Sequence, residues 1–180
     1  HLALTHLTNL RANLLAENLM FKDILQVRTL KLQGDLPTST DQIDELNLSA
    51  QHIKFNQVDV NQVNAKLTGK RSEHALKLNI AQSNANASIE LQGGLTPQNI
   101  WQGQLVNSQL GAFKKNKGIQ FTQQQNAKIN LDLNKKTFWM DGHCWGNSAR
   151  AQQDQLCFSQ PIELSATKQK LHMNLNDVQL

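Results

Sequence analysis

Apolar and polar residues alternate along most of this 180-residue chain. The alternation is plainest at Leu76, Leu78 and Ile80, at Ile89 and Leu91, and at Ile129, Leu131 and Leu133. Because successive side chains of a β-strand point to opposite faces, a two-residue period predicts strands with one apolar face. The pattern predicts about ten to twelve strands of ordinary length. The chain is therefore predicted to be all-β, with one extended antiparallel or mixed sheet.

The first part of the chain shows a different spacing. Leu7, Leu10 and Leu14 are placed as on one side of a helix. However, residues 13–21 return as residues 47–55, where Ile53 and Phe55 have the β-branched and aromatic chemistry of strands. Because duplicated blocks share a fold, we predict strands in both copies.

The duplication also has an architectural meaning. The first block repeats at an offset of 34 residues (13 to 47), and a second block, residues 31–34, repeats at an offset of 35 (31 to 66). A period of this size is typical of stacked architectures, in which neighbouring units cover each other's apolar face. No linker divides the chain, so we predict a single segment over residues 1–180. We expect the one-residue difference in offset to mark a bulge or a changed turn.

Glycine-containing sequences separate the predicted strands. They begin at Gly34, Gly69 and Gly93, and each continues with residues that favour turns. We therefore expect strands to end at these glycines.

The composition indicates a sheet whose wet face carries amides rather than charges. There are 19 Asn and 22 Gln, while only 18% of residues are charged. A disordered Gln-rich segment is the alternative for residues 123–125, but regular alternation on both sides argues against disorder of the whole chain. The net charge of +4 comes with no tyrosine, so basic patches interleaved with aromatics are missing and nucleic-acid binding is disfavoured.

No arrangement typical of catalysis occurs in the sequence. The histidines lack metal-ligand spacing, no phosphate-binding glycine loop is present, and no serine has a nucleophile-elbow context. We predict a protein that is not an enzyme, with no cofactor and no metal. The chain has no apolar run near the roughly 20 residues that cross a bilayer, so any anchor is expected outside it.

Cys144 and Cys157 are the only cysteines. If residues 151–154 form a hairpin turn, both thiols fall at the same level of neighbouring strands, within reach of a disulfide. Free buried thiols are one alternative, and a metal site with His143 is another. The metal site is the weaker idea, because adjacent strand residues point to opposite faces.

Several elements together resemble the TamB family and its AsmA-like relatives. They are strands that end in glycine, Gly94-Leu95 followed by Trp101-x-Gly103-x-Leu105, then His143-Cys144-Trp145 and Leu156-Cys157. The resemblance runs over nearly the whole chain. It implies a sheet curled into an open β-taco, a trough with an apolar interior. It also implies a periplasmic segment of a longer parent that is anchored in the inner membrane by an N-terminal segment not present here.

The resemblance further implies a TamA-type outer-membrane barrel protein as partner of the parent chain, and roles in outer-membrane assembly and phospholipid movement. An apolar trough would shelter phospholipid acyl chains. The candidate lining residues are Leu46, Leu48, Ile53, Phe55, Val58, Val60, Leu67, Leu76, Leu78, Ile80, Ile89, Leu91, Ile129, Leu131 and Leu133. The same residues would describe the core of a β-sandwich.

Two other hypotheses stay open at this stage. In the first, exposed edge strands bind nascent outer-membrane β-strands by β-augmentation, and the protein is a scaffold or chaperone. In the second, the strands form a closed β-solenoid that leaves no cavity.

Overall fold

The computed structural model consists of β-strands and connecting turns, with no helix among the residues that it describes. These residues are 9–21, 24–37, 44–56, 58–114, 117–147, 154–166, 169–170 and 172–176. The described strand pairings in both halves of the chain are antiparallel. The predicted all-β class is confirmed, and so are strands in the first copy of the repeat.

Fifteen strands lie within the described ranges. They are β1 (Asn9–Phe21), β2 (Leu25–Pro37), β3 (Asp44–Phe55), β4 (Val58–Lys70), β5 (Glu73–Ala81), β6 (Ala85–Leu95), β7 (Ile100–Lys114), β8 (Lys117–Gln123), β9 (Ala127–Asp132), β10 (Thr137–Met140), β11 (His143–Asn147), β12 (Gln155–Phe158), β13 (Ile162–Leu164), β14 (Gln169–Lys170) and β15 (Met173–Asn176). The number exceeds the expected ten to twelve because short breaks divide the second half of the chain into many short strands.

The chain folds as two compact units, His1–Ser83 and Asn84–Leu180, here called unit 1 and unit 2. In unit 1, β1 to β5 form an antiparallel meander in which each strand pairs with the next. Local hairpin connections favour this topology, because consecutive strands pair without a crossover. The single segment expected from the sequence stays a prediction.

In unit 2, β7 pairs with β6 along one side and with two different strands along the other. Its first part pairs with β9, which continues through β10, β13 and β14; we call this series ladder B. Its last part pairs with β8, which continues through β11, β12 and β15; we call this series ladder A. Short breaks between β8 and β9, between β10 and β11, and between β12 and β13 separate the two ladders.

The core of unit 2 is formed by side chains from both ladders. Its buried residues are Leu105, Phe121, Ala127, Ile129 and Trp145. Partly buried residues surround them, including Phe138 and Met140 of β10 and Leu156 and Phe158 of β12. Removing these large apolar groups from water stabilises the unit, at about 25 cal/mol per Å² of apolar surface.

The expectation that strands end at the glycines is wrong at three positions. Gly34 lies inside β2, Gly69 inside β4 and Gly93 inside β6, each paired across the sheet. A Cβ atom at Gly34 would lie 2.8 Å from the Cα of Leu46. Close approach of neighbouring backbones, rather than a turn, therefore requires glycine at this position.

Candidate functional site

Four polar residues lie side by side across unit 1, in the middle of long strands. The pairings on either side place Asn18 of β1, Arg28 of β2, His52 of β3 and Asn61 of β4 at one level of the sheet. Asn18 and His52 have left-handed backbones, with φ values of 52° and 48°. Such a conformation interrupts the extended geometry of a strand. We call these four residues the polar row.

The alternation of buried and exposed residues along β2 shifts by one residue at the polar row. On one side, Leu30 and Leu32 are half-buried and Lys31 between them is exposed. On the other side, Leu25 is half-buried and Val27 is buried. The step from Val27 to Leu30 is three residues instead of two, so the apolar residues on both sides of the row share one face of the sheet.

The apolar face of unit 1 extends across all five strands. Across the sheet, the registers align Leu46 with Leu67 and Leu76, Leu48 with Ala65 and Leu78, and Ala50 with Val63 and Ile80. Beyond the polar row they align Ile53 with Val60 and Phe55 with Val58. All ten lining candidates of unit 1 therefore belong to these aligned sets, which we call the unit 1 apolar face. Contact of these residues with lipid stays a prediction.

Many side chains of the unit 1 apolar face are exposed to solvent. Leu14 and Leu19 of β1 are 49% and 41% exposed, and Phe55 and Val58 are about half exposed, at 51% and 52%. Only Val27 and Ala50 are buried apolar residues among the described part of unit 1, and they flank the polar row. Contiguous exposed apolar surface of this kind marks a binding site for an apolar partner or ligand.

The five lining candidates of unit 2 lie in two different environments. Ile129 is only 7% exposed within the core, and Ile89 and Leu91 pack against that core. Leu131 and Leu133 instead line an open cavity of about 360 Å³ on ladder B, together with Phe138, Leu164, Asp132, Lys136 and Ser165. Of these five candidates, only Leu131 and Leu133 line this cavity.

Asp132 fixes the turn at the rim of this cavity. Its Oδ1 accepts hydrogen bonds from the backbone N–H of Lys135 at 2.9 Å and of Asn134 at 3.0 Å, and its Oδ2 lies 3.6 Å from the Lys135 ammonium. The hydrogen bond from Lys135 is the main reason that the pKa of Asp132 is lowered, and burial opposes it. Asp132 therefore holds its negative charge and orders the turn that carries Lys136.

A polar chain near the core joins ladder A to β7. Trp145 Nε1 donates to Ser108 Oγ at 2.9 Å, and Ser108 Oγ donates to the side-chain oxygen of Gln123. The Gln123 amide nitrogen donates in turn to the carbonyl oxygen of Leu105 at 2.7 Å. Asn107, beside Ser108, has a φ of 47°, and the pairing of β6 with β7 shifts register there. This bulge lies where β7 passes from ladder B to ladder A.

His143 is the most deeply buried titratable residue in the core region, at 1% exposed. Its Nδ1 lies 2.9 Å from the Asp141 carbonyl oxygen and donates to it. No described group bonds to its Nε2, and the ring contacts Trp145 and Phe158. Burial lowers the pKa of His143, against the opposing hydrogen bond to Asp141, and so favours the neutral imidazole.

Cys144 and Cys157 form a disulfide between β11 and β12, where they are direct cross-strand partners with Cα atoms 4.1 Å apart. Both side chains are half-buried. Among the described residues, no group of three His, Cys, Asp or Glu could hold a metal ion. Nor is any described helix long and apolar enough to span a membrane.

Trp101 covers a pair of glycines that face each other across the sheet. Gly93 of β6 pairs with Gly103 of β7. Cβ atoms at these positions would lie 2.8 Å and 2.5 Å from the Trp101 ring. The motif Trp-x-Gly-x-Leu therefore places the Trp101 indole against the backbone of the two glycines, while Leu105 belongs to the core.

Sequence reasoning missed the left-handed residues and the buried polar groups. The only signal for the first was a pair of polar residues, such as Gln51-His52, inserted between apolar positions that otherwise alternate. For Ser108 and Asp154, which are buried, the sequence carried no signal, because polar residues of this kind are usually exposed.

The antiparallel strands, the exposed apolar face of unit 1 and the cross-strand disulfide define an all-β class of protein with an open sheet surface. Residues 6–180 match the family model described as TamB, N-terminal domain. The chain therefore belongs to the TamB family. No curated protein matches the chain, and no solved structure matches it. Membership connects the chain with outer-membrane biogenesis, in a family of periplasm-spanning, inner-membrane-anchored proteins that work with a TamA-type outer-membrane protein.

Proposed function

We propose that the unit 1 apolar face shelters the acyl chains of phospholipids during transport between the inner and outer membranes. The observation that carries this proposal is the exposure of large apolar side chains on one continuous face, including Leu14, Phe55 and Val58. Transfer of each methylene from water to such a face contributes about 0.8 kcal/mol. The lipid headgroups would stay in water beside the unit 1 apolar face.

The chemistry of the face suits a sliding ligand better than a fixed one. Its side chains are aliphatic or aromatic. An acyl chain that moves along such a surface exchanges one apolar contact for another and breaks no hydrogen bond. The cavity beside Leu131 and Leu133 would offer a similar surface in unit 2.

The proposal extends to the parent protein through the family. We infer that the chain acts in the periplasm as part of a parent anchored in the inner membrane. The parent would cooperate with a TamA-type outer-membrane barrel protein. One protein that connects the two membranes would then serve both lipid delivery and outer-membrane assembly. No cofactor and no catalytic residue takes part in this function.

Mass spectrometry of the purified chain tests the proposal directly. We expect phospholipid or fatty acid to copurify, and photo-crosslinking groups at Leu48 and Leu78 to label it. Leu78→Asp should reduce the bound lipid several-fold, because a carboxylate on this face meets the acyl chain. Asn79→Asp is the matched control, since Asn79 is exposed and adjacent on β5.

Two results would count against lipid binding. One is the absence of lipid and of crosslinks at both positions in a chain whose circular dichroism shows an intact sheet. The other is an equal loss of lipid in both variants. If Leu78→Asp fails to fold, Leu48→Asn provides a milder polar change on the same face.

The scaffold hypothesis makes opposite predictions for the same variants. If the protein binds nascent outer-membrane strands through a sheet edge, charges on the apolar face should have no effect. Crosslinks would then appear on the edge strands. The observation that favours this second function is that β1 pairs only with β2 among the described residues.

A further inference from the structure

Ladder B carries an apolar row inside unit 2. The pairings place Ile129 of β9, Met140 of β10 and Ile162 of β13 at one level of the sheet. Ile129 and Ile162 are 7% and 6% exposed, and Met140 packs against the core. This level of ladder B therefore belongs to the interior of unit 2.

The next level of ladder B is also apolar, but it is open to solvent. The same registers place Leu131, Phe138 and Leu164 side by side, two residues along each strand from the buried row. An offset of two residues keeps side chains on one face of a sheet. Leu164 is 42% exposed, and Leu133, two residues beyond Leu131, is 49% exposed. These four residues line the cavity on ladder B, and we call them the apolar wall. The cavity therefore continues the apolar face of the core to the surface.

The rim of the cavity carries a positive charge that has no partner among the described residues. Lys136 is exposed and lines the cavity, and no described carboxylate forms an ion pair with it. Asp132 lines the cavity too, but its carboxylate accepts hydrogen bonds from the turn and lies 3.6 Å from the Lys135 ammonium. Two lysines therefore stand against one carboxylate at this rim, which favours an anionic ligand.

Hydrogen bonds from both sides hold the turn that carries Lys136. The N–H of Leu133 donates to the carbonyl oxygen of Asn99 at 3.2 Å, and the side-chain amide of Asn134 donates to the carbonyl oxygen of Gln98 at 2.8 Å. Lys136 is the last residue of the turn, with a left-handed φ of 54°. Its backbone is therefore anchored next to the apolar wall, which limits how far the ammonium can move from the cavity.

We propose that this cavity is a binding site for a long-chain fatty acid. The carboxylate pairs with Lys136, and the acyl chain lies against the apolar wall. At about 360 Å³, the cavity is near the lower limit of ligand sites, which measure roughly 300–1,000 Å³. It therefore suits the single chain of a fatty acid better than the two chains of a phospholipid. A neutral apolar ligand would leave the Lys136 ammonium without its anion.

Dodecanoate and dodecanol test the proposal on the full 180-residue chain. The two ligands have the same chain length, and only dodecanoate carries a charge. In calorimetric titrations below the concentrations at which micelles form, we expect dodecanoate to bind about threefold to fivefold more tightly, as a partly exposed ion pair allows. Added salt should narrow this difference, because it screens exposed charges.

Variants of two lysines locate the charge that recognises the ligand. Lys136→Gln should weaken dodecanoate to the affinity of dodecanol and leave dodecanol unchanged, while Lys136→Arg should restore the preference. Lys128→Gln is the matched control, because Lys128 is an exposed residue of β9 outside the cavity lining and the net charge changes equally. Leu133→Asn should weaken both ligands several-fold, since it removes part of the apolar wall.

A dodecanoate analogue with a diazirine on its chain shows where the ligand lies. Mass spectrometry should find the label on residues 131–138 or 162–165. The proposal is overturned if dodecanoate does not bind, if dodecanol binds equally well, or if the label falls elsewhere. It is also overturned if Lys136→Gln and Lys128→Gln weaken dodecanoate equally. Dioctanoyl phosphatidylglycerol that displaces dodecanoate and binds more tightly would assign the cavity to a two-chain lipid instead.

The inference rests on the proposed function in one respect, the affinity of unit 2 for acyl chains. The two can nevertheless fail separately. Loss of copurified phospholipid in Leu78→Asp concerns the unit 1 apolar face, whereas the preference for dodecanoate and its loss in Lys136→Gln concern this cavity. A fatty acid that binds here while no phospholipid copurifies would leave the inference standing and count against transport by unit 1.

Discussion

Asn18 and His52 lie 34 residues apart, and each places a left-handed backbone in the middle of a long strand, with φ values of 52° and 48°. They are equivalent positions of the sequence repeat. Left-handed conformations cost most side chains about 1–2 kcal/mol, and asparagine tolerates them better than most. The repeat therefore preserves an interruption of the strand as well as an apolar pattern.

We predict that His52→Gly will leave the free energy of unfolding unchanged or slightly raised, whereas His52→Val will lower it by about 1–2 kcal/mol. Glycine adopts a positive φ without strain, although it adds entropy to the unfolded chain. Valine is β-branched and disfavours this conformation strongly. Denaturant midpoints of the three proteins, at equal slopes, measure the difference.

Gln51 provides the matched control for His52. It is an exposed neighbour that pairs with both adjacent strands. In extended backbone, Gln51→Val should be neutral or favourable and Gln51→Gly should destabilise by roughly 0.5–1 kcal/mol. If valine proves better than glycine at both positions, the left-handed conformation of His52 does not contribute to stability.

The position of the interruption differs from the expectation based on the repeat offsets. The change from 34 to 35 suggested a bulge between the two blocks, but the left-handed residues lie within the first block of each copy. The sequence repeat aligns Leu32 of β2 with Leu67 of β4, whereas in the sheet Leu32 and Ala65 pair with Leu48 from opposite sides. The repeat and the sheet therefore align β2 with β4 in registers that differ by two residues. A shift of two residues keeps each side chain on the same face, so the apolar pattern of the sequence cannot distinguish the two registers.

The second prediction concerns Gly103. Gly103→Ala should lower the free energy of unfolding by about 1–3 kcal/mol, because its Cβ would lie 2.5 Å from the Trp101 ring. Trp101→Leu should partly rescue Gly103→Ala, since a smaller side chain can move away. A double-mutant cycle measured by chemical denaturation gives the coupling. Additive effects would show that Trp101 does not restrict this position.

The third prediction concerns the disulfide. Replacement of Cys144 and Cys157 together by serine should lower the free energy of unfolding by about 3 kcal/mol, as the chain-entropy treatment gives for a loop of this size. The loop spans 13 residues. Reduction of the wild-type protein with dithiothreitol should give a similar loss. Reductant should have no effect on the double variant, and any effect there would point to a cause other than the disulfide.

The strands and the apolar face could be predicted from sequence because they depend on local alternation. Leu76, Leu78 and Ile80 needed only a two-residue period, and the repeat corrected the helical spacing around Leu14. The divided sheet of unit 2 could not be predicted, because the breaks around Gln125 and Gly142 resemble ordinary turns. Which apolar residues become core also depends on packing: Ile129 is buried, whereas Leu133 has the same local pattern and is 49% exposed.

The last prediction concerns pH. Above pH 6.5, the ordinary pKa of a histidine, His143 is neutral in both the folded and the unfolded chain. As the pH falls below 6.5, the unfolded chain takes up a proton first, because burial lowers the pKa of His143 in the folded state. The free energy of unfolding should therefore decrease through this window, until the pH passes below the folded-state pKa.

Two histidine variants locate the source of this pH dependence. His143→Gln removes the titrating group, so stability measured at pH 5 and pH 7 should differ less than in the wild-type protein. His172→Gln changes an exposed histidine and should leave the difference intact. If the stability difference between pH 5 and pH 7 is unchanged in His143→Gln, groups other than His143 cause the acid sensitivity. Protonation of His143 Nε2 in the folded chain would then carry no penalty from its burial against Trp145 and Phe158.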